Sequence, residues 1–367
     1  MGHRNGILFL IGIFLCLQVR GQQSPANYTA RWAKVDSLIT KKGLTLSALA
    51  EVNSIYTTAK KEKNDPQLIK SLIYRFNLEG SRKEDAIQQS TTLLEKEIQS
   101  AQEPANSILK SLLAEIYWNY FQQHRWNLYQ QKNTINFKKA DIATWSAADF
   151  HQKISSLYLA SLQDEKLLEH TKLDPFNTLI IPGNARYLRP TLFDLLAQRA
   201  LNYFKSDEPD VSKPAYAFEI ENPTSFAPAS EFIRASFLTK DSASIHYRAI
   251  LLYQQLIRFH LQDPQPDAMI DVDIQRIQFM RQYAVMENKE DLYFDALQYI
   301  TAQYPENKTA ASAWYLQAQS YADKAASYDP LRDTANRYSY LQARSICENT
   351  SKPVSYTHLT LPTKRIV

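Results

Sequence analysis

The residues able to do chemistry are few, and their spacing gives no chemistry. The histidines are His3, His124, His151, His170, His246, His260 and His358. No two lie three or four positions apart, so no single helix presents a paired metal site. Each reads as a surface or packing residue, which leaves only sites assembled from distant segments. Asp271 and Asp273 stand two apart and point to different sides of a helix. They lack the glycine and terminal glutamate of a calcium loop. Asp164 and Glu165 read as a solvated helix end. Any two carboxylates could meet in space for acid–base work, but no spacing singles out a pair. The seven glycines, Gly2, Gly6, Gly12, Gly21, Gly43, Gly80 and Gly183, are scattered. Phosphate cradles of the Rossmann and Walker kinds need clustered glycines, so both are excluded. A Gly-x-Ser-x-Gly nucleophile elbow is absent as well. The densest aromatic group, Trp118, Tyr120, Phe121, Trp126 and Tyr129, could stack on a sugar or a base, although an inter-helix core is the plainer reading. Trp314 and Tyr315 carry the same two readings. The sequence therefore assigns no catalytic, cofactor-binding or metal-ligating residue, names no cofactor and predicts no enzyme.

Composition bounds the rest. Of 42 Lys and Arg, two (Arg4 and Arg20) fall in the leader and two (Lys364 and Arg365) in an anomalous tail, which leaves 38 basic residues against 38 acidic ones. A balanced chain gives no electrostatic case for nucleic acid. Arg4, the apolar run Ile7–Leu17 and Gly21 before Gln22 read as a secretory signal over residues 1–21. The run is short for a membrane span. Cys16 raises a lipoprotein reading, but Leu15 before it occupies a place where a small residue belongs. The mature chain is thus expected to be exported, to periplasm or cell envelope. Cys347 is then its one cysteine, without an intrachain disulfide partner and expected to be buried.

The elements that would position any site are helices. The spacing predicts a first helix around Ala33, Leu38 and Ile39. A second has a face of Ala48, Leu49, Val52, Ile55, Tyr56 and Ala59, and a third follows Asp65-Pro66. A fourth spans Ala86–Ile98, a long fifth follows Pro104, and another opens at Ser146 and runs to about His170. Near the chain's middle, Pro190 suits a first helical position. Leu192, Leu195, Leu196, Ala200 and Tyr203 then form one apolar side, and Phe193, Ala197, Leu201 and Phe204 a second. Asp194, Gln198, Asn202 and Lys205 leave a narrow polar stripe. So apolar a helix is packed on several sides, and we read it as the hinge between two helical arrays. Seven of the 16 prolines fall within the 54 residues from Pro175 to Pro228. The stretch Ser206–Pro228 is long for a structureless connection and, with Phe218, Ile220 and Phe226, is expected to run along the surface. Helices resume at Ile245–Phe259 and Ile270–Met286, then as a hairpin, Phe294–Tyr304 and Thr309–Tyr321, and finally at Thr334–Glu348.

Two stretches, LTLSALAEVNSIYTTAKKEKNDPQLIKSLIYR and LYFDALQYITAQYPENKTAASAWYLQAQS, share a layout. Each has an early Ala-Leu in a first helix, a polar Pro-containing turn, and a second helix. Tetratricopeptide-like pairs, about 34 residues each, are built this way. The expected fold is therefore all-α: an antiparallel array of tetratricopeptide-like (α-solenoid) helix pairs with a Pro-rich central connection. Residues 22–180 form an N-terminal array, 181–240 the central helix and connection, and 241–353 a C-terminal array. Residues 354–367, VSYTHLTLPTKRIV, contradict the helical pattern. They resemble translated sequencing-adapter read-through, a non-native tail, and the natural protein is expected to continue past Pro353.

Three segments carry a family resemblance: Arg31–Arg75, Arg189–Phe204 (RPTLFDLLAQRALNYF), and Asp291–Tyr328 followed by Ala343–Glu348. Their order and spacing resemble the helical N-terminal region of large alpha-2-macroglobulin-like proteins of Bacteroidetes-type bacteria. The likeness covers roughly residues 28–353. It implies an exported, broad-range endopeptidase inhibitor, in which β-sandwich macroglobulin domains, a bait segment and often a Cys-Gly-Glu-Gln thioester follow the helices. Its partners would be those downstream domains and the peptidases it traps. Cys347-Glu348-Asn349 is no thioester motif, so no functional residue carries over, and this chain would be the scaffold fragment. The alternative is a tetratricopeptide-type glycan-binding or nutrient-binding envelope protein, which predicts Trp118 and Trp126 exposed together. A helical polysaccharide lyase is a third reading and needs a pocket with two carboxylates and aromatic walls.

Overall fold

The computed structural model describes residues 27–80, 86–130, 141–181, 183–207, 216–331 and 334–350. The expected signal with Cys16, the expected tail, His3, His358, Pro182, Pro209 and Pro214 lie outside the described residues. Among these residues the fold is an all-α array of packed, sequence-adjacent helices. In order they are α1 (Tyr28–Thr40), α2 (Thr45–Glu62), α3 (Asp65–Gly80), α4 (Ala86–Ser100), α5 (Ala105–Gln130), α6 (Ala147–Ser161) and α7 (Glu165–His170). There follow α8 (Leu192–Phe204), α9 (Ala229–Phe232), α10 (Ile245–His260), α11 (Asp267–Tyr283), α12 (Lys289–Gln303), α13 (Ala311–Ala326) and α14 (Ser339–Thr350). No described helix is long and apolar enough to cross a membrane.

Local sequence explains the first pair. Ala48, Val52, Ile55 and Ala59 recur every three or four residues and are the buried positions of α2. With Trp32 and Val35 of α1 and Leu78 of α3, the first three of these make a small core of their own. Arg31 and Lys34 clasp Glu51 across α1 and α2 at 2.8 and 2.7 Å. The α1–α2 turn needs Gly43 at φ 62°. The α2–α3 turn places Lys63 at φ 54°, where Asn64 N–H reaches the Ala59 carbonyl at 2.9 Å. This is a left-handed helix stop without the usual glycine.

The larger core runs from Ile69 to Ala313 and surrounds α8. Every residue of α8 except Asn202 is buried. The helix contacts α5, α6 and α7 on one side of the sequence and α10 on the other, as expected of a helix between two sets of neighbours. Its start differs from expectation. Thr191 is the N-cap and Pro190 precedes it, because a hydroxyl can accept the orphan N–H groups of the first turn and proline cannot. Asp194 and Gln198, expected on a polar stripe, are buried at 1% and 8% exposure.

Two further expectations are corrected. The helix from Ser146 does not reach His170 unbroken: α6 ends at Ser161, and Asp164 caps a separate α7 by accepting from Leu167 N–H. Cys347 is exposed rather than buried. The α13 contact covers Ser339 and Ala343 of α14 and leaves Cys347 and Glu348 in solvent. The described part of the connection before Pro228 packs along the surface: Tyr216, Glu219, Glu221 and residues 222–224 are exposed. Ile220 pairs with Ala284 in an isolated bridge, and Ile220 and Phe226 are buried, because these apolar side chains fill the space beside α11.

Candidate functional site

The chemistry-bearing side chains gather at both ends of α8. At its N-terminus Thr191 and Asp194 form a capping box: Thr191 N–H and hydroxyl donate to Asp194 Oδ2 at 2.9 and 2.8 Å, and Asp194 N–H donates to Thr191 Oγ1 at 3.3 Å. The other carboxylate oxygen, Oδ1, meets Nε2 of His260, the last residue of α10, at 2.7 Å. His260 Nδ1 meets Asp263 Oδ2, also at 2.7 Å. A protonated imidazole donates from both nitrogens, which suits an oxygen on each side of the ring. Burial alone would push the His260 pKa down. The bonds to Asp194 and Asp263 outweigh it and hold the pKa above the ordinary histidine range.

Further ties surround this one. Arg189, just before α8, donates to Asp271 of α11 at 3.2 Å, and Gln275 donates to the same oxygen at 2.8 Å. Arg199 joins α8 to α5 through Ser111 Oγ and Glu115, both at 2.8 Å. Tyr203 joins α8 to α6, its hydroxyl 2.8 Å from His151 Nδ1. Burial pushes the His151 pKa down to about 4, which keeps that imidazole neutral.

A carboxylate–imidazole–carboxylate line could in principle move protons. Here the His260 side chain has 0% exposure, and both ring nitrogens are engaged with protein oxygens. No substrate atom can come within reach of it. What the arrangement does is hold α8 against α10 across 66 residues of sequence.

Outside this centre the described residues line a groove with a volume of about 250 Å³. Pro223, Phe226 and Pro228 form one wall, Ile277 of α11 the floor, and Leu292, Ala296 and Tyr299 of α12 the other wall. Its polar groups are Asp273, Arg276 and Asp295. Arg276 is wholly buried. Its guanidinium donates to Asp273 at 2.9 Å and to the carbonyls of Ser225 and Ala227, the latter at 3.0 Å, and lies over the Phe232 ring at 4.4 Å. Burial pushes the Asp273 pKa up, and Arg276 opposes that shift. Asp271 and Asp273 do serve different sides of α11, as their spacing requires. The groove also holds the two carboxylates and aromatic wall that the lyase reading names. However, Asp273 is buried and bonded to Arg276, which leaves Asp295 as the one exposed carboxylate.

The aromatic group of α5 divides. Phe121 is fully buried, and Trp118 stacks on it at 5.5 Å and meets Tyr203 edge-on at 5.0 Å. Trp126 is 73% exposed, with Arg125 over its ring at 5.0 Å. The two tryptophans therefore do not form one exposed platform. Of the remaining histidines, His124, His170 and His246 each bond a backbone carbonyl.

Sequence reasoning missed the Asp194–His260–Asp263 line and the Arg276–Asp273 pair. The signal for half of the first was present: Thr191-x-x-Asp194 is a capping-box spacing. Nothing local could have joined it to His260. Comparison with protein-family models, curated proteins and solved structures finds no match to this chain.

Proposed function

We propose that this chain is a non-catalytic helical scaffold, the N-terminal part of an exported alpha-2-macroglobulin-like peptidase inhibitor. One observation carries the scaffold half of this reading. The ionisable groups around α8 are spent on one another, as Asp194–His260–Asp263 and Arg189–Asp271, where they tie α8 and the segment before it to α10 and α11. The inhibitor half rests on the resemblance. Its three segments fall on α1–α3, on α8 with the residues before it, and on α12–α14, which are elements of packing rather than of chemistry. In this reading the downstream macroglobulin domains and trapped peptidases are the partners, and periplasm or cell envelope is the location. The packing of Trp118 into the core weighs against the glycan-platform alternative.

The experiment is to read the source gene through Pro353. The inhibitor reading expects β-sandwich macroglobulin domains downstream. A stop codon shortly after Pro353 would refute it.

A further inference from the structure

We propose that the groove between the Pro223–Pro228 segment and α12 binds an arginine side chain presented by an extended segment of a partner polypeptide. The site stands whether or not the chain belongs to an inhibitor. Its volume, about 250 Å³, and its opening to solvent admit a single long side chain whose backbone stays outside. The walls formed by Phe226, Leu292 and Ala296 suit a methylene stem.

The charge balance selects a cation. Two carboxylates, Asp273 and Asp295, and one guanidinium, that of Arg276, line the groove. Asp273 already neutralises that guanidinium, whose donors are also turned to the Ser225 and Ala227 carbonyls. The charge left over is Asp295. It is exposed, and no cation of the described chain pairs with it.

The neighbour of Asp295 selects arginine over lysine. Tyr299, 44% exposed as a residue, stands one helical turn further along α12 on the same face. A planar guanidinium can lie on its ring while forking to the Asp295 carboxylate. A compact, strongly hydrated ammonium gains less from the ring. The groove is also preformed, because Arg276 ties the Ser225 and Ala227 carbonyls to α11, so binding requires no ordering of that wall.

The test follows the methyl resonances of Ile277, Leu292 and Ala296 in the full chain as acetyl-Ala-Arg-Ala-amide is added. The expected result is saturable shifts of these groove methyls. Binding should be about tenfold weaker or worse for the citrulline peptide, which keeps the shape and loses the charge, and weaker for the lysine peptide. Asp295→Asn should bring the arginine peptide down to the citrulline level. Asp295 bonds nothing in the fold, so this variant stays folded. Equal binding of the arginine and citrulline peptides, lysine binding as tight as arginine, an unaffected Asp295→Asn variant, or no shift at all would each overturn the proposal.

Discussion

Replacing Arg276 by Met is the sharpest perturbation of the interior. Arg276 is the largest fully buried side chain, and it spends its charge on Asp273 and on two backbone carbonyls. Methionine fills much of the volume but leaves a buried carboxylate and two carbonyls unmet. Removing one partner of a buried pair costs about 3–5 kcal/mol. Asp273 can shed part of this by taking up a proton, since burial already pushes its pKa up. The net expectation is therefore about 3 kcal/mol. Pairing the change with Asp273→Asn removes the stranded charge and should recover about half of that loss. Urea unfolding measures both variants. Hydrogen exchange should also quicken at the Ser225 and Ala227 amides, whose turn Arg276 holds against α11. A loss below about 1 kcal/mol for Arg276→Met, or no recovery in the double variant, would refute the reasoning.

Two backbone positions should respond in opposite directions. Gly43→Ala places a side chain in open space but at φ 62°, so it should cost about 1 kcal/mol by conformation alone. Lys63→Gly relieves the same strain at φ 54° and should gain about 0.5–1 kcal/mol after the added freedom of the unfolded chain is subtracted; chemical denaturation reads both. His151 carries a pH signature. Its folded pKa, about 4, lies below the unfolded value, so the stability it confers is present above about pH 6.5 and is lost as pH falls through about 4. His151→Phe should remove about 2 kcal/mol of the decline between about pH 7 and pH 4.5, and an unchanged pH profile would contradict the assignment.

How much could be read in advance depended on distance along the chain. The apolar faces of α2 and α8 were legible because their residues recur every three or four positions, and that spacing alone buries them together. The break between α6 and α7 has no Gly or Pro beside it, and only the Asp164 side-chain cap marks where α7 begins. The narrow polar stripe of α8 did not show what its residues bond. Asp194 is polar because His260 waits on α10, and Arg199 because Ser111 and Glu115 wait on α5. The groove was equally invisible. It arises where Phe226 and its flanking prolines are laid over α11 and α12, and the tie that fixes them reaches from Arg276 back to the carbonyl of Ser225.

The central claim is that interior charge fastens α8 to its neighbours. A double-mutant cycle of Asp194→Asn and His260→Gln, read by urea unfolding at about pH 6, tests it most directly. The account predicts a coupling of about 2 kcal/mol. It also fixes the sign of the pH dependence. The folded pKa of His260 is raised, so its contribution is full below the unfolded value near 6.5 and must fade as pH rises through the folded one. A coupling within about 0.5 kcal/mol of zero, or one that grows as pH rises, would contradict it.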